Sequence, residues 1–193
     1  MPRAGLDAEV VTEAGATLAD EIGIGQLSMS ILATRLGVKT PSLYKHVDGL
    51  GALTHRIAVL GATEAGDAVE EAVRGRSGVE ALAAATQALR GYVRRHPGRY
   101  AATTGARPTG DDDPLGPALA RPIASLAVVL QDYGLEPDEE IHALRMVRSM
   151  VHGFATIEDT GGFQWAADVD ESFTWMIDFL DHGLRGRHDL HLP

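Results

Sequence analysis

Cysteine is absent from the 193 residues, which excludes disulfides and thiolate metal sites outright. No stretch approaches the roughly 18 consecutive apolar residues that cross a bilayer. The opening MPRAGLDAEVV lacks the basic start and apolar run of a signal peptide, so a cytoplasmic chain with no membrane partner is expected. Also missing are H-E-x-x-H, G-x-S-x-G and a phosphate-cradling G-x-x-x-x-G-K. Glu139-x-x-His142 has the spacing of one bundle ligand pair but lacks the second pair a di-metal site needs. No catalytic residue, metal ligand or cofactor is expected. Sustained strand alternation is lacking too, so the fold class is all-α.

Lysine is nearly absent: Lys39 and Lys45 are the only two. The net charge of −10 argues against a polyanionic partner, yet the uneven distribution of that charge points the other way. Residues 1–60 hold five basic against six acidic side chains, and residues 61–193 twelve against twenty-one. Within 24–60, Arg35, Lys39, Lys45 and Arg56 face Asp48 alone.

What is present is helical periodicity, enough for about nine helices. Leu6, Val10, Ala14, Leu18 and Ile22 stripe a first helix that stops at Gly23. Later starts are marked by Ser77-x-x-Glu80, Asp113-Pro114, Pro137 and Asp168. Between them lies SMSILATRLGVKTPSLYKHVD, residues 28–48. Its two short helices are too short to be stable alone and must be held by packing. Ser28 is expected to cap the first, small Ala33 to admit a close crossing, Gly37 to turn at positive φ, and Val38 to plug the corner. Thr40 is expected to cap the second, with Pro41 in its first turn and Leu43 and Val47 facing inward. Such a corner is a helix-turn-helix, whose second helix leaves Thr40, Ser42, Tyr44, Lys45 and His46 free for phosphates and base edges. A tight αα corner of this kind also occurs in proteins that do not touch DNA.

LATRLGVKTPSLYKHV, with its preceding amphipathic helix, resembles the DNA-binding domain of the TetR-type one-component transcriptional regulators. That resemblance implies a homodimeric regulator, most simply a repressor, with a helix-turn-helix domain at 1–50 and an effector-binding and dimerisation domain at 51–193. It places contacts to double-stranded operator DNA on Ser30, Lys39, Thr40, Ser42, Tyr44, Lys45 and His46, with Arg3 contributing from the N-terminal arm. Family members commonly carry a basic residue where this chain reads Asp48-Gly49-Leu50-Gly51, a departure that weakens phosphate contact. Met150-Val151-His152-Gly153-Phe154 is similar to a subgroup named for a Trp-His-Gly pattern, here without the tryptophan.

His152 reads first as a buried or interface histidine and second as a residue lining an effector pocket. Phe154, Trp165, Trp175 and Met176 read likewise as packing residues, some of which line an apolar cavity. The pocket for a small-molecule effector is assigned to these five, and the dimer interface to the last two helices. The rival reading is a helical ligand-binding module with weak or no DNA binding, favoured by the acidic total and by Asp48.

Overall fold

The computed structural model describes residues 5–189, without the side chains of His188 and Asp189. Among the described residues there are nine α-helices and no strand. They are α1 (Ala8–Ile22), α2 (Met29–Leu36), α3 (Thr40–Leu43), α4 (Gly49–Val73), α5 (Gly78–Arg95), α6 (Pro97–Gly105), α7 (Leu115–Leu130), α8 (Pro137–Asp159) and α9 (Val169–Arg185).

Most helix ends follow from local chemistry. Asp7 accepts from the Val10 N–H at 2.8 Å, Ser28 from the Ile31 N–H at 3.3 Å, and Asp168 from the N–H groups of Asp170 and Glu171. These contacts satisfy donors that lack an intrahelical partner. Glu136 and Glu139 close a capping box over Pro137, and the other oxygen of Glu139 accepts from Arg187 at 2.7 Å. Glu139 is thus engaged in helix capping and an ion pair. At the start of α5, the Gly78 N–H donates to Asp132 at 2.6 Å.

The chain forms two compact units. In the first, residues up to Glu64 gather with 95–119; its core is Val11, Ala16, Leu18, Ala19, Leu32, Leu43, Leu53 and Ile57. The expected boundary at 50 does not coincide with this division, because α6 packs on α1 and the first half of α4. An Ala-sized group at Gly98 would fall onto the Ala19 backbone, and one at Gly61 would lie 2.8 Å from the Arg99 carbonyl oxygen. Around this crossing the Arg99 guanidinium, buried, donates to Asp20 at 2.9 Å, Glu64 at 2.8 Å and Glu13 at 2.6 Å. The pairing raises the Arg99 pKa against the opposing effect of burial.

The buried face of α1 shares Leu18 with the expected stripe, whose Leu6, Ala14 and Ile22 pack half-buried against the core. Val11, Gly15, Ala16, Leu18 and Ala19 face inward, whereas Val10 stays exposed. Close crossings select small residues at the contact, and a side chain at Gly15 would press on Leu53 at 3.1 Å.

The second unit comprises 65–94 and the described residues from Ala120 onward. In α9, Phe173, Met176, Ile177, Leu180 and Leu184 are buried. In α8 the buried set is Ala143, Val147, Val151 and Ala155. Arg90 is almost wholly enclosed and pairs bidentately with Glu158 at 2.7 and 2.6 Å. Its guanidinium also lies over the Phe173 ring, 4.6 Å from the centroid. Nearby, the buried Tyr133 hydroxyl donates to Asp181 at 2.7 Å. Burial and this carboxylate push the Tyr133 pKa up, since both disfavour phenolate. Tyr133→Phe removes that donor while Arg185 still serves Asp181 at 3.0 Å. A loss of about 1.5 kcal/mol is expected in a urea melt; a change under about 0.3 kcal/mol would show that the hydroxyl contributes little.

Candidate nucleic-acid interface

The corner at Gly37 is built as its residues require. Gly37 has φ of 66°, its N–H donates to Thr34 O at 3.1 Å, and the Val38 N–H donates to Ala33 O at 3.0 Å. These two bonds are a Schellman motif, ending α2 in a left-handed residue that glycine adopts without strain. Ala33 is buried and Val38 packs against the core beside it.

Thr40 does not cap α3. Lys39 occupies the cap position without a side-chain bond, and Thr40 and Pro41 both lie in the first turn. Proline presets the helical φ and brings no donor, so one orphan N–H is already absent. Regular α-helix ends at Leu43 and turns carry the chain through His46, with the His46 and Val47 N–H groups both donating to Leu43 O. Leu43 and Val47 are buried and fix which side faces out.

On that outer side Tyr44 is 54% exposed, Lys39 and Lys45 are exposed, and Thr40, Ser42 and His46 are half-buried. Ser30 is exposed on α2. Lys39 to His46 thus follow one another on and beside the short element, whereas Ser30 belongs to α2. Arg3 lies outside the described residues. Arg35 pairs with Glu21 at 2.5 and 2.7 Å, and the Arg56 Nε donates to Thr12 Oγ1 at 2.9 Å. Lys39 and Lys45 make no ion pair with any described residue, which keeps their charge available to phosphate. Asp48 is exposed directly before α4, the acidic departure seen in the sequence.

The five residues assigned to an effector pocket are not gathered into one. Phe154 packs against Phe163 and Phe173, centroids 4.7 and 4.9 Å apart, and Met176 is buried in α9. His152 is half-buried on α8. Trp165 is 88% exposed in the loop after α8, and Trp175 is 69% exposed, stacked on Phe179. None of them lines any of three cavities among the described residues, of about 1110, 440 and 490 Å³. The reason is phase: Met176 and Trp175 are adjacent on α9 and so point to different sides. The roomiest of these cavities instead lies in the first unit, between α1, α4 and the loop 109–114. Its signal in the sequence was weak, because its residues come from three separated segments without a shared motif.

An all-helical chain with a glycine-cornered helix pair and an outward tyrosine–lysine face is a helix-turn-helix protein. Similarity to known proteins narrows that class. Residues 82–180 match the family model of the tetracyclin repressor-like C-terminal domain. An uncharacterized HTH-type transcriptional regulator of Mycobacterium tuberculosis, Rv0681, is 35% identical over 183 residues, covering 94% of this chain and 83% of that one. Among solved structures, a protein with unknown function from Rhodococcus sp. RHA1 superposes with a TM-score of 0.80 at 22% identity, covering 96% of this chain and 99% of that one. BioQ with its double-stranded DNA operator superposes with a TM-score of 0.66 at 19% identity, covering 94% and 99%. The chain belongs to the TetR family of helix-turn-helix transcriptional regulators. Among the described residues no helix is long and apolar enough to cross a membrane.

Proposed function

We propose that this regulator is a repressor that binds a palindromic operator as a homodimer through Ser30, Lys39, Thr40, Ser42, Tyr44, Lys45 and His46, and leaves it when a small-molecule effector binds. The observation that carries the reading is the exposed Tyr44-Lys45 pair on an element whose other side is buried through Leu43 and Val47. Tyrosine offers ring and hydroxyl to bases and backbone, and lysine a mobile charge to phosphate or guanine. The operator-bound BioQ shares the fold, which supports the same mode of docking. Each protomer carries one such element, so a twofold dimer reads two half-sites. Pairing through α8 and α9 is supported by Ile141, Met146, Trp175 and Phe179, all large, apolar and exposed.

The test is a gel-shift titration against the DNA upstream of the protein's own gene at several salt concentrations. Tyr44→Ala with Lys45→Ala should raise the operator Kd about 100-fold and leave the dimer intact in sedimentation. Lys45→Ala alone should flatten the salt dependence by about one unit of log–log slope. Unchanged binding by the double variant would refute the assigned reading face. A second reading, a ligand-binding module without DNA binding, draws on exposed Asp48 and on the neutralisation of Arg35 by Glu21. Failure of the unaltered protein to bind at the lowest salt would establish that reading instead.

A further inference from the structure

The cleft of about 1110 Å³ in the first unit lies between the start of α1, the middle of α4 and the loop 109–114. Its volume lies slightly above the usual range of about 300–1,000 Å³ for small-molecule sites. Val10, Val59, Leu60 and Pro114 give it apolar walls. Val10 is 37% exposed on α1.

Its charge is one-sided. Glu9, Glu13, Asp111, Asp112 and Asp113 line it, with Arg56 and His55 on the other side of the balance. Two of the carboxylates are already engaged: Glu13 by Arg99, and Asp113 by His55 at 3.0 Å and by the N–H groups of Leu115 and Thr109. The bonds of Asp113 hold the loop in place and keep its carboxyl well below the usual carboxylate range. Glu9, Asp111 and Asp112 are exposed and make no ion pair among the described residues. Apolar walls with a carboxylate rim oppose an anion and leave the rim unmatched by a neutral molecule. An organic cation with an apolar body meets both features.

The cleft also leads toward the DNA-reading region. His55, Arg56 and Thr109 line in addition a neighbouring cavity of about 490 Å³ that reaches His46, Val47 and Asp48. An occupant therefore bears on the part of α4 that supports the recognition element.

We propose that this cleft binds a small organic cation with an apolar body and that its occupation changes operator affinity. The second part rests on the regulator reading above. Coupling of this kind needs a difference in cation affinity between the free and operator-bound forms, and it acts equally in both directions.

The probe is benzyltrimethylammonium, compared by equilibrium dialysis with neopentylbenzene, its uncharged isostere, and with benzylsulfonate, all on the full chain. The cation should bind about tenfold tighter than either comparator, and added salt should weaken it. Glu9→Gln/Asp111→Asn/Asp112→Asn, a variant at exposed positions, should lose about tenfold in cation affinity with an unchanged melting curve. Saturating cation should change the operator Kd about fivefold or more. Equal binding of the cation and its isostere, or undiminished binding by the triple variant, would overturn the cleft assignment. An operator Kd indifferent to the cation would overturn the effector role. If no operator is bound at any salt, the regulator reading fails by itself and the dialysis arms still decide the cleft.

Discussion

Gly98→Ala should lower stability by about 4 kcal/mol or more, measured as a shift in the urea midpoint at unchanged slope. The added methyl has no space: it would overlap the carbonyl group of Ala19 and lie 2.5 Å from the Asp20 amide nitrogen. Those atoms belong to the backbone of α1, so no side-chain rotation relieves the overlap and the helices must separate. Separation in turn stretches the bonds that hold α6, including the Arg99 N–H to Asp20 at 2.9 Å and His96 to Asp20 at 3.2 Å. Because α1 also packs against the helix-turn-helix core, operator binding should fall with stability. Gly105→Ala, at the other end of the same helix and with nothing within 4 Å, is the control. It should be neutral or stabilising by up to about 1 kcal/mol, since alanine is the better helix former. Equal destabilisation by both changes would contradict the crossing geometry.

Arg90→Met should cost about 3 to 5 kcal/mol, a loss readable in a thermal or urea melt. The substitution keeps an unbranched apolar stem over Phe173 but deletes both bonds to Glu158, whose side chain is 15% exposed. Arg94 stands 3.7 Å from the same carboxylate, too far for a good hydrogen bond. A poorly solvated carboxylate is then left with only Arg94, 54% exposed and 3.7 Å away, and that weakened pairing is the main cost. Asp170, the second partner at 2.7 Å, is 75% exposed and loses little. The double variant Arg90→Met/Glu158→Gln removes the weakly paired charge and should recover much of the loss. Failure to recover would assign the cost to packing against Phe154 and Phe173 instead.

The outward Tyr44-Lys45 pair and the corner were legible because their information is local. Glycine at a left-handed residue, a serine cap and inward Leu43 and Val47 each depend on neighbours within a few positions. The one local error, Thr40 as a cap, arose because Lys39-Thr40-Pro41 allows either register, and proline can occupy the first or the second helical position. In α9 the buried Phe173, Ile177, Leu180 and Leu184 form a clean stripe at spacings of three and four. On the first helix periodicity placed Leu6, Ala14, Leu18 and Ile22 on the core side but not Val10, because an every-fourth pattern drifts around the helix and the closest contact is set by the smallest side chains.

By itself the sequence determined an all-helical chain, the corner at Gly37 and the outward placement of Tyr44 and Lys45, since hydrogen bonds and periodicity spanning a few residues specify all three. Tertiary structure alone decided that α6 crosses α1 at Gly98, that Trp165 and Trp175 stand exposed, and that the roomy acidic cleft forms from α1, α4 and the loop 109–114. Those features depend on contacts between segments tens of residues apart, where size and charge complementarity act only after the chain has folded.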